Sequence, residues 1–136
     1  MENGITSVTM PAASRERLKV LVVDDHRYFR ESLVSFLREF PGVSIAGTAG
    51  NGKEAVEMAE RLHPSLVIMD IQMPEMDGLE ACEEIRKALP GIRIVLYTMH
   101  SPETYGDAAL KRADRFVSKD RLFEELPGIV EAEVDR

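Results

Sequence analysis

The sequence predicts an α/β fold, a doubly wound five-stranded parallel sheet with about five helices. Three observations carry that prediction. Short, wholly apolar runs such as Val20-Leu21-Val22-Val23 and Val67-Ile68-Met69 recur along the chain, as strands buried on both faces of a sheet require. Stretches of helical periodicity separate them, and strict alternation of strand and helix implies right-handed crossovers and a parallel sheet. Finally, several of the apolar runs stop at a polar side chain. In such sheets, binding sites open outside the carboxyl ends of the strands, where the strand order reverses.

Taken in order, residues 1–17 mix Gly, Ser, Thr, Pro and Ala without periodicity and are expected to form a flexible N-terminal tail. A docked extra strand through Ile5 and Val8 is the alternative. The domain proper is expected over residues 18–136, beginning with a strand that ends at Asp24. A helix from about Arg27 to Phe40 places Phe29, Leu33, Phe36, Leu37 and Phe40 at helical spacing, and Pro41-Gly42 closes it. The second strand, Val43 to Thr48, is weakly patterned. Asn51 with Glu54 three residues on forms a capping pair for a helix carrying Ala55, Val56, Ala59 and Leu62. The third strand is Leu66 to Met69. After a loop from Met73 to Gly78, a helix from Leu79 to about Leu89 turns Ile85 and Leu89 inward, and Pro90-Gly91 ends it.

The fourth strand, Ile92 to Tyr97, leads into Thr98. The helix after it, around Pro102 to Lys111, is poor in apolar residues and is expected to be exposed and mobile. A brief fifth strand, Phe116 to Ser118, precedes a last helix capped by Asp120 and bearing Leu122, Phe123, Leu126, Ile129 and Val130. Pro127 inside that helix removes a hydrogen bond, so a kink or split is expected there.

Size and charge exclude several classes. At 136 residues the chain is one domain. A net charge of −7 argues against a nucleic-acid surface, which needs clustered Lys and Arg. No apolar stretch is long enough to span a membrane, and no signal-peptide pattern opens the chain. Cys82 is the sole cysteine, which excludes an internal disulfide, fits a cytoplasmic protein and reads as a small core residue.

The chemistry lies at one edge of the expected sheet. Asp24, Asp25, Asp70, Thr98 and Lys119 all fall at or just after the carboxyl end of a strand. Singly, each has an ordinary explanation: a helix cap, a turn former, a strand-end hydroxyl, a solvated lysine. Together they are the parts phosphoryl transfer requires: a carboxylate nucleophile, an acid pair for a divalent metal, a cation and a hydroxyl for phosphoryl oxygens. Three carboxylates so close also call for a counter-cation, and Mg²⁺ suits a site of few carboxylates that keeps its waters.

These motifs resemble the receiver (CheY-like) domain of two-component response regulators. The resemblance rests on Val22-Val23-Asp24-Asp25, Met69-Asp70-Ile71-Gln72-Met73-Pro74 with Asp77-Gly78, Val95-Leu96-Tyr97-Thr98 and Phe116-Val117-Ser118-Lys119, and covers Leu18 to about Val134. It implies a flavodoxin-like fold of strand order 2-1-3-4-5. It further implies that Asp70 takes a phosphoryl group from a sensor histidine kinase or phosphotransfer protein. Asp25 would bind Mg²⁺ directly, Asp24 largely through water, and Asp70 and the backbone carbonyl of Gln72 would complete the protein ligands. Lys119 would pair with the carboxylate and then the phosphoryl group. Thr98 would move to bond a phosphoryl oxygen and Phe116, the switch aromatic, would turn inward, altering the face of helix four, strand five and helix five. The implied protein is a self-phosphorylating and self-dephosphorylating signalling domain rather than a turnover enzyme. It would act through a downstream protein target or a phosphorylation-dependent dimer, without binding nucleic acid or membrane itself.

The chain also departs from the family pattern. Arg112 and Arg115 stand where relatives have turn glycines before strand five, so another backbone path is expected there. Asp120 follows Lys119 where many relatives have proline. Thr98-Met99-His100 and Lys119-Asp120 are similar to receivers of the LuxR-type class, and His100 reads as a residue of the site rim.

Other readings meet specific obstacles. A haloacid-dehalogenase-type phosphatase needs an acid two positions after its nucleophile, where this chain has Gln72. A dinucleotide site needs a glycine-rich turn where Asp24-Asp25 stand, and a calcium loop over Asp70 to Asp77 lacks alternating oxygen ligands. For output, a stand-alone receiver is weighed against the receiver half of a LuxR-type transcription factor. A start at Met1 with a natural-looking tail favours a complete protein or an N-terminal portion of one.

Overall fold

In the computed structural model, residues 17–99 and 102–135 are described. Five strands and five helices alternate: β1 (Leu18–Val23), α1 (Arg27–Leu37), β2 (Val43–Ala49), α2 (Gly52–Leu62), β3 (Leu66–Asp70), α3 (Gly78–Ala88), β4 (Arg93–Thr98), α4 (Pro102–Arg112), β5 (Arg115–Ser118) and α5 (Leu122–Val134), with a 3₁₀ turn over Lys119–Arg121 before the last helix. The strands form one sheet in the order β2-β1-β3-β4-β5, every pair parallel. The expected strand order is thus the observed one. The tail, the candidate strand through Ile5 and Val8, and His100 lie outside the described residues.

Alternation along each strand divides the core in two. Val20, Val22, Ile68 and Tyr97 face α1 and α5, where they meet Leu33, Leu37, Leu126 and Val130. Leu21, Val23, Met69 and Leu96 face α2, α3 and α4, where Ala55, Ala59, Ala81, Ile85 and Ala109 pack. Both sides of β1, β3 and β4 are covered, which is why those strands read as unbroken apolar runs.

The helix ends follow local chemistry. Asn51 accepts from the Glu54 N–H at 2.8 Å and Glu54 accepts from the Gly50 N–H at 2.7 Å, a reciprocal cap at the start of α2. Asp77 caps α3 in the same way, accepting from the Glu80 N–H at 2.9 Å. Gly78 begins α3 hard against the end of β3. Its N–H donates to the Ile71 carbonyl at 2.7 Å, and a Cβ there would run into the Asp70 carbonyl. Only glycine permits that approach.

Three expectations need correction. Helix α1 ends at Leu37 rather than Phe40. The N–H groups of Glu39 and Phe40 bond carbonyls only three residues back, and Pro41 disfavours a helical conformation at Phe40. Phe40 still packs on the core, so the periodic signal was real although the helix had stopped. Asp120 does not cap the last helix. It lies inside the 3₁₀ turn, whose Leu122 N–H to Lys119 carbonyl bond occupies a donor that a cap would have taken, and no side chain caps α5. Pro127 does not split α5, which runs unbroken from Leu122 to Val134.

The sparse burial expected of α4 and a different path for the turn before β5 are both observed. Ala109 is the only fully buried apolar residue among those described in α4, while Leu110 is 63% exposed. Before β5, Arg112 and Arg115 take no left-handed backbone, since His63 and Glu75 are the non-glycine residues with positive φ among those described. Side chains hold this turn instead. Asp114 accepts from the Ile94 N–H at 2.8 Å and from Arg86 at 2.6 Å, and Arg86 also donates to the Arg112 carbonyl at 2.7 Å. Against the opposing effect of its burial, Arg86, the Ile94 N–H and the nearby Arg93 hold Asp114 below its ordinary pKa.

Candidate functional site

The site forms where β1, β3 and β4 end together. Asp24 continues β1 and is wholly buried. Asp70 is the last residue of β3 and 2% exposed, and Thr98 is the last of β4 and wholly buried. Register explains the grouping: Val23 pairs with Met69, Asp70 with Tyr97, and Thr98 with Ser118, so strand ends from four segments meet at one edge.

The side chains then converge. Asp24, Asp25, His26 and Asp70 each offer a ligand atom, and those atoms lie within 4.8 Å of one another. Lys119 reaches in from the turn after β5, its Nζ 3.3 Å from Asp24 Oδ2 and 3.8 Å from Asp70 Oδ2. The ring of Phe29 lies under that ammonium at 4.2 Å from its centroid, an apolar and cation-attracting floor. The Gln72 N–H donates to Asp70 Oδ1 at 3.2 Å, fixing the start of the loop after β3 against that carboxylate.

Burial sets the electrostatics. Loss of solvent pushes the Asp70 carboxyl up to about 6, and the Asp24 charge beside it pushes the same way, against the Gln72 N–H and Lys119. A carboxyl raised this far by burial is one whose ionised form a nearby cation would stabilise. Three of the four donors are carboxylate oxygens, on Asp24, Asp25 and Asp70, and those hard oxygens fit a small divalent cation such as Mg²⁺; the fourth is the His26 ring nitrogen.

The site thus brings together Asp24, Asp25, Asp70 and Lys119, with Thr98 on the same edge. Phe116 is not at the cluster. It sits half-buried on the α4 side of the sheet, paired in register with Leu96, on the face to which Thr98 also alternates. Two residues escaped the sequence reading. His26 Nδ1 lies 3.2 Å from Oδ1 of both Asp24 and Asp25, a position signalled only by its place directly after the acid pair. Tyr97 donates its hydroxyl to Asp24 Oδ2 at 2.6 Å; in the sequence it reads as one more apolar strand residue.

Residues 20–131 match the response regulator receiver domain family. The chain belongs to that family. It is a receiver domain of two-component response regulators, a signalling domain. It is 36% identical over 116 residues to the nitrate/nitrite response regulator protein NarL of Escherichia coli (strain K12), an alignment covering 84% of this chain and 53% of that protein. It is 47% identical over 74 residues to a protein-glutamate methylesterase/protein-glutamine glutaminase of Alkalilimnicola ehrlichii, covering 54% of this chain and 19% of that one. Among solved structures it is similar to the response regulator domain of Thermotoga maritima CheB, with a TM-score of 0.80, 28% identity, and coverage of 89% of this chain and 98% of that one. A LuxR-family two-component response regulator from Aurantimonas sp. SI85-9A1 superposes with a TM-score of 0.81 at 28% identity, covering 88% and 86% of the two chains. The receiver spans about half or less of the curated relatives named here. No helix among its described residues is long and apolar enough to cross a membrane.

Proposed function

We propose that this receiver takes a phosphoryl group onto Asp70 from a histidine kinase or phosphotransfer protein in the cytoplasm, with Mg²⁺ held by Asp24, Asp25, Asp70 and the Gln72 carbonyl. The observation that carries this reading is Asp70 itself, buried at a strand end with Lys119 3.8 Å away and the acid pair alongside. An Asp70 oxygen attacks phosphorus while the phosphorus–nitrogen bond of the phosphohistidine breaks, the electron pair leaving on the imidazole, and an aspartyl phosphate results. The cation, when bound, offsets the charge crowded among carboxylates and phosphoryl oxygens.

Lys119 neutralises the phosphoryl group, and the Thr98 hydroxyl bonds one of its oxygens. Thr98 and Phe116 share the α4 side of the sheet, and α4 is thinly anchored, which supports a switch read out on the face of α4, β5 and α5. The domain is a phosphorylation switch rather than a turnover enzyme, answering to a protein partner or a phosphorylation-dependent dimer.

A receiver half of a LuxR-type transcription factor is the second reading, favoured by the relatives' greater length. The reading frame around the gene separates the two. The chemistry is tested by incubation with acetyl phosphate and Mg²⁺ followed by intact mass. The wild-type chain should gain one phosphoryl group and Asp70→Asn none; stable uptake by that variant would overturn the assignment of Asp70.

A further inference from the structure

Tyr97 stands at the site without a part in the scheme above. It is wholly buried, and its hydroxyl donates to Asp24 Oδ2 at 2.6 Å, with the Val23 carbonyl farther off at 3.5 Å. Asp24 is equally buried, and its carboxylate is fully engaged. Oδ1 accepts from the His26 N–H at 2.7 Å, with His26 Nδ1 at 3.2 Å. Oδ2 takes the Tyr97 hydroxyl and lies 3.3 Å from Lys119 Nζ. The Tyr97 ring is held in turn by Phe29, 5.7 Å away between centroids. A phenol so placed cannot leave its carboxylate without repacking the core.

From this geometry, and resting on the phosphoacceptor reading, we infer that Tyr97 is a positioning residue. Its hydroxyl pins Asp24 toward the core, so that Asp24 neither turns fully onto the metal nor monopolises Lys119. Two consequences oppose one another. A donor on Oδ2 withdraws charge from Asp24 and holds it back from the cation, which weakens metal binding. The same donor shares the work of satisfying Oδ2, which leaves the Lys119 ammonium free to swing the short distance to the group on Asp70. With the hydroxyl gone, Lys119 would be the sole remaining donor to Oδ2 of a buried carboxylate, and it would stay there.

Tyr97→Phe tests this, because it removes one oxygen and keeps the ring in its apolar seat. Mg²⁺ affinity is read by calorimetry, phosphoryl uptake from acetyl phosphate by intact mass at saturating Mg²⁺, and folding by melting without metal. The expected result is a split: Mg²⁺ binds roughly threefold to tenfold tighter while uptake slows by about tenfold, the scale of one hydrogen bond to a charged group. In an Asp24→Asn background the same substitution should change neither quantity further. If affinity and uptake fall together, or neither changes, or the effect persists without the Asp24 charge, Tyr97 acts by packing and the inference fails. A wild-type chain that neither binds Mg²⁺ nor gains phosphoryl mass would overturn the underlying reading as well, so the two failures are told apart by the wild-type arm.

Discussion

Lys119 stands closer to Asp24 than to Asp70, its Nζ 3.3 Å from the first and 3.8 Å from the second. Asp70 therefore lacks a full ion pair, and burial beside a like charge dominates its titration. The consequence is a measurable link between pH, stability and the site.

Asp70 titrates at about 6 in the folded domain against an ordinary value of 3.8. Below pH 3.8 the carboxyl is protonated in both states and carries no penalty. As pH rises to about 6 the unfolded chain ionises first, and folded stability is lost progressively; above that the loss is complete, on the order of 3 kcal/mol. Without metal, Asp70→Asn should therefore be more stable than the wild type by about 2–3 kcal/mol at pH 7.5, with the gap closing near pH 4. Urea denaturation at the two pH values checks this. A gap of equal size at both would rule out Asp70 ionisation as its source.

Metal should relieve the same strain. Mg²⁺ at about a hundred times its Kd should stabilise the folded domain by about 2.7 kcal/mol and raise the melting temperature by several degrees. Asp25→Ala should lose most of that rise, since Asp25 is the more exposed member of the acid pair. A scanning melt with and without Mg²⁺ is sufficient. An unchanged wild-type curve would count against the metal site.

Glycine substitutions should separate a site position from a neutral one. A Cβ on Gly78 meets the Asp70 carbonyl and the Ile71 Cα, both backbone, whereas one on Gly106 meets nothing within 4 Å. Gly78→Ala should cost about 1–3 kcal/mol and slow phosphoryl uptake by displacing the end of β3. Gly106→Ala, inside α4, should instead stabilise by about 0.5–1 kcal/mol. Denaturation midpoints of the two variants would reveal the contrast.

Hydrogen exchange should trace the switch. With beryllofluoride as a phosphoryl mimic, protection should change chiefly from Thr98 to Phe123, beyond the loops after Asp25 and Asp70, while α1 and α2 stay as they were. This follows from the sparse anchoring of α4 and from Thr98 and Phe116 sharing its side of the sheet. Changes confined to the site loops would send the signal out by another face, such as that of α1 and α5, which Tyr97, Phe29 and Phe123 connect to the site through tilted and edge-on ring contacts.

The alternation of apolar runs with helical periods determined the class of fold, and the acids ending those runs located the site edge. Both are local patterns: a strand covered on two faces must be apolar throughout, and a strand-end carboxylate interrupts it in plain view. Caps at Asn51 were legible for the same reason, since donor and acceptor lie within one turn. The extent of α1 and the start of α5 were not legible, because 3₁₀ bonding near Phe40 and Lys119 competes with the helix at little energetic difference. Tertiary structure alone decided three further points. Pairing β3 with β4 set Tyr97 beside Asp70 and its hydroxyl on Asp24, 73 positions apart in the chain. The fold gave the turn before β5 to Asp114 and Arg86 in place of glycine. It also buried Asp70 deeply enough to lift its pKa, because solvent exclusion depends on everything packed around a carboxylate and on nothing in its own flanking sequence.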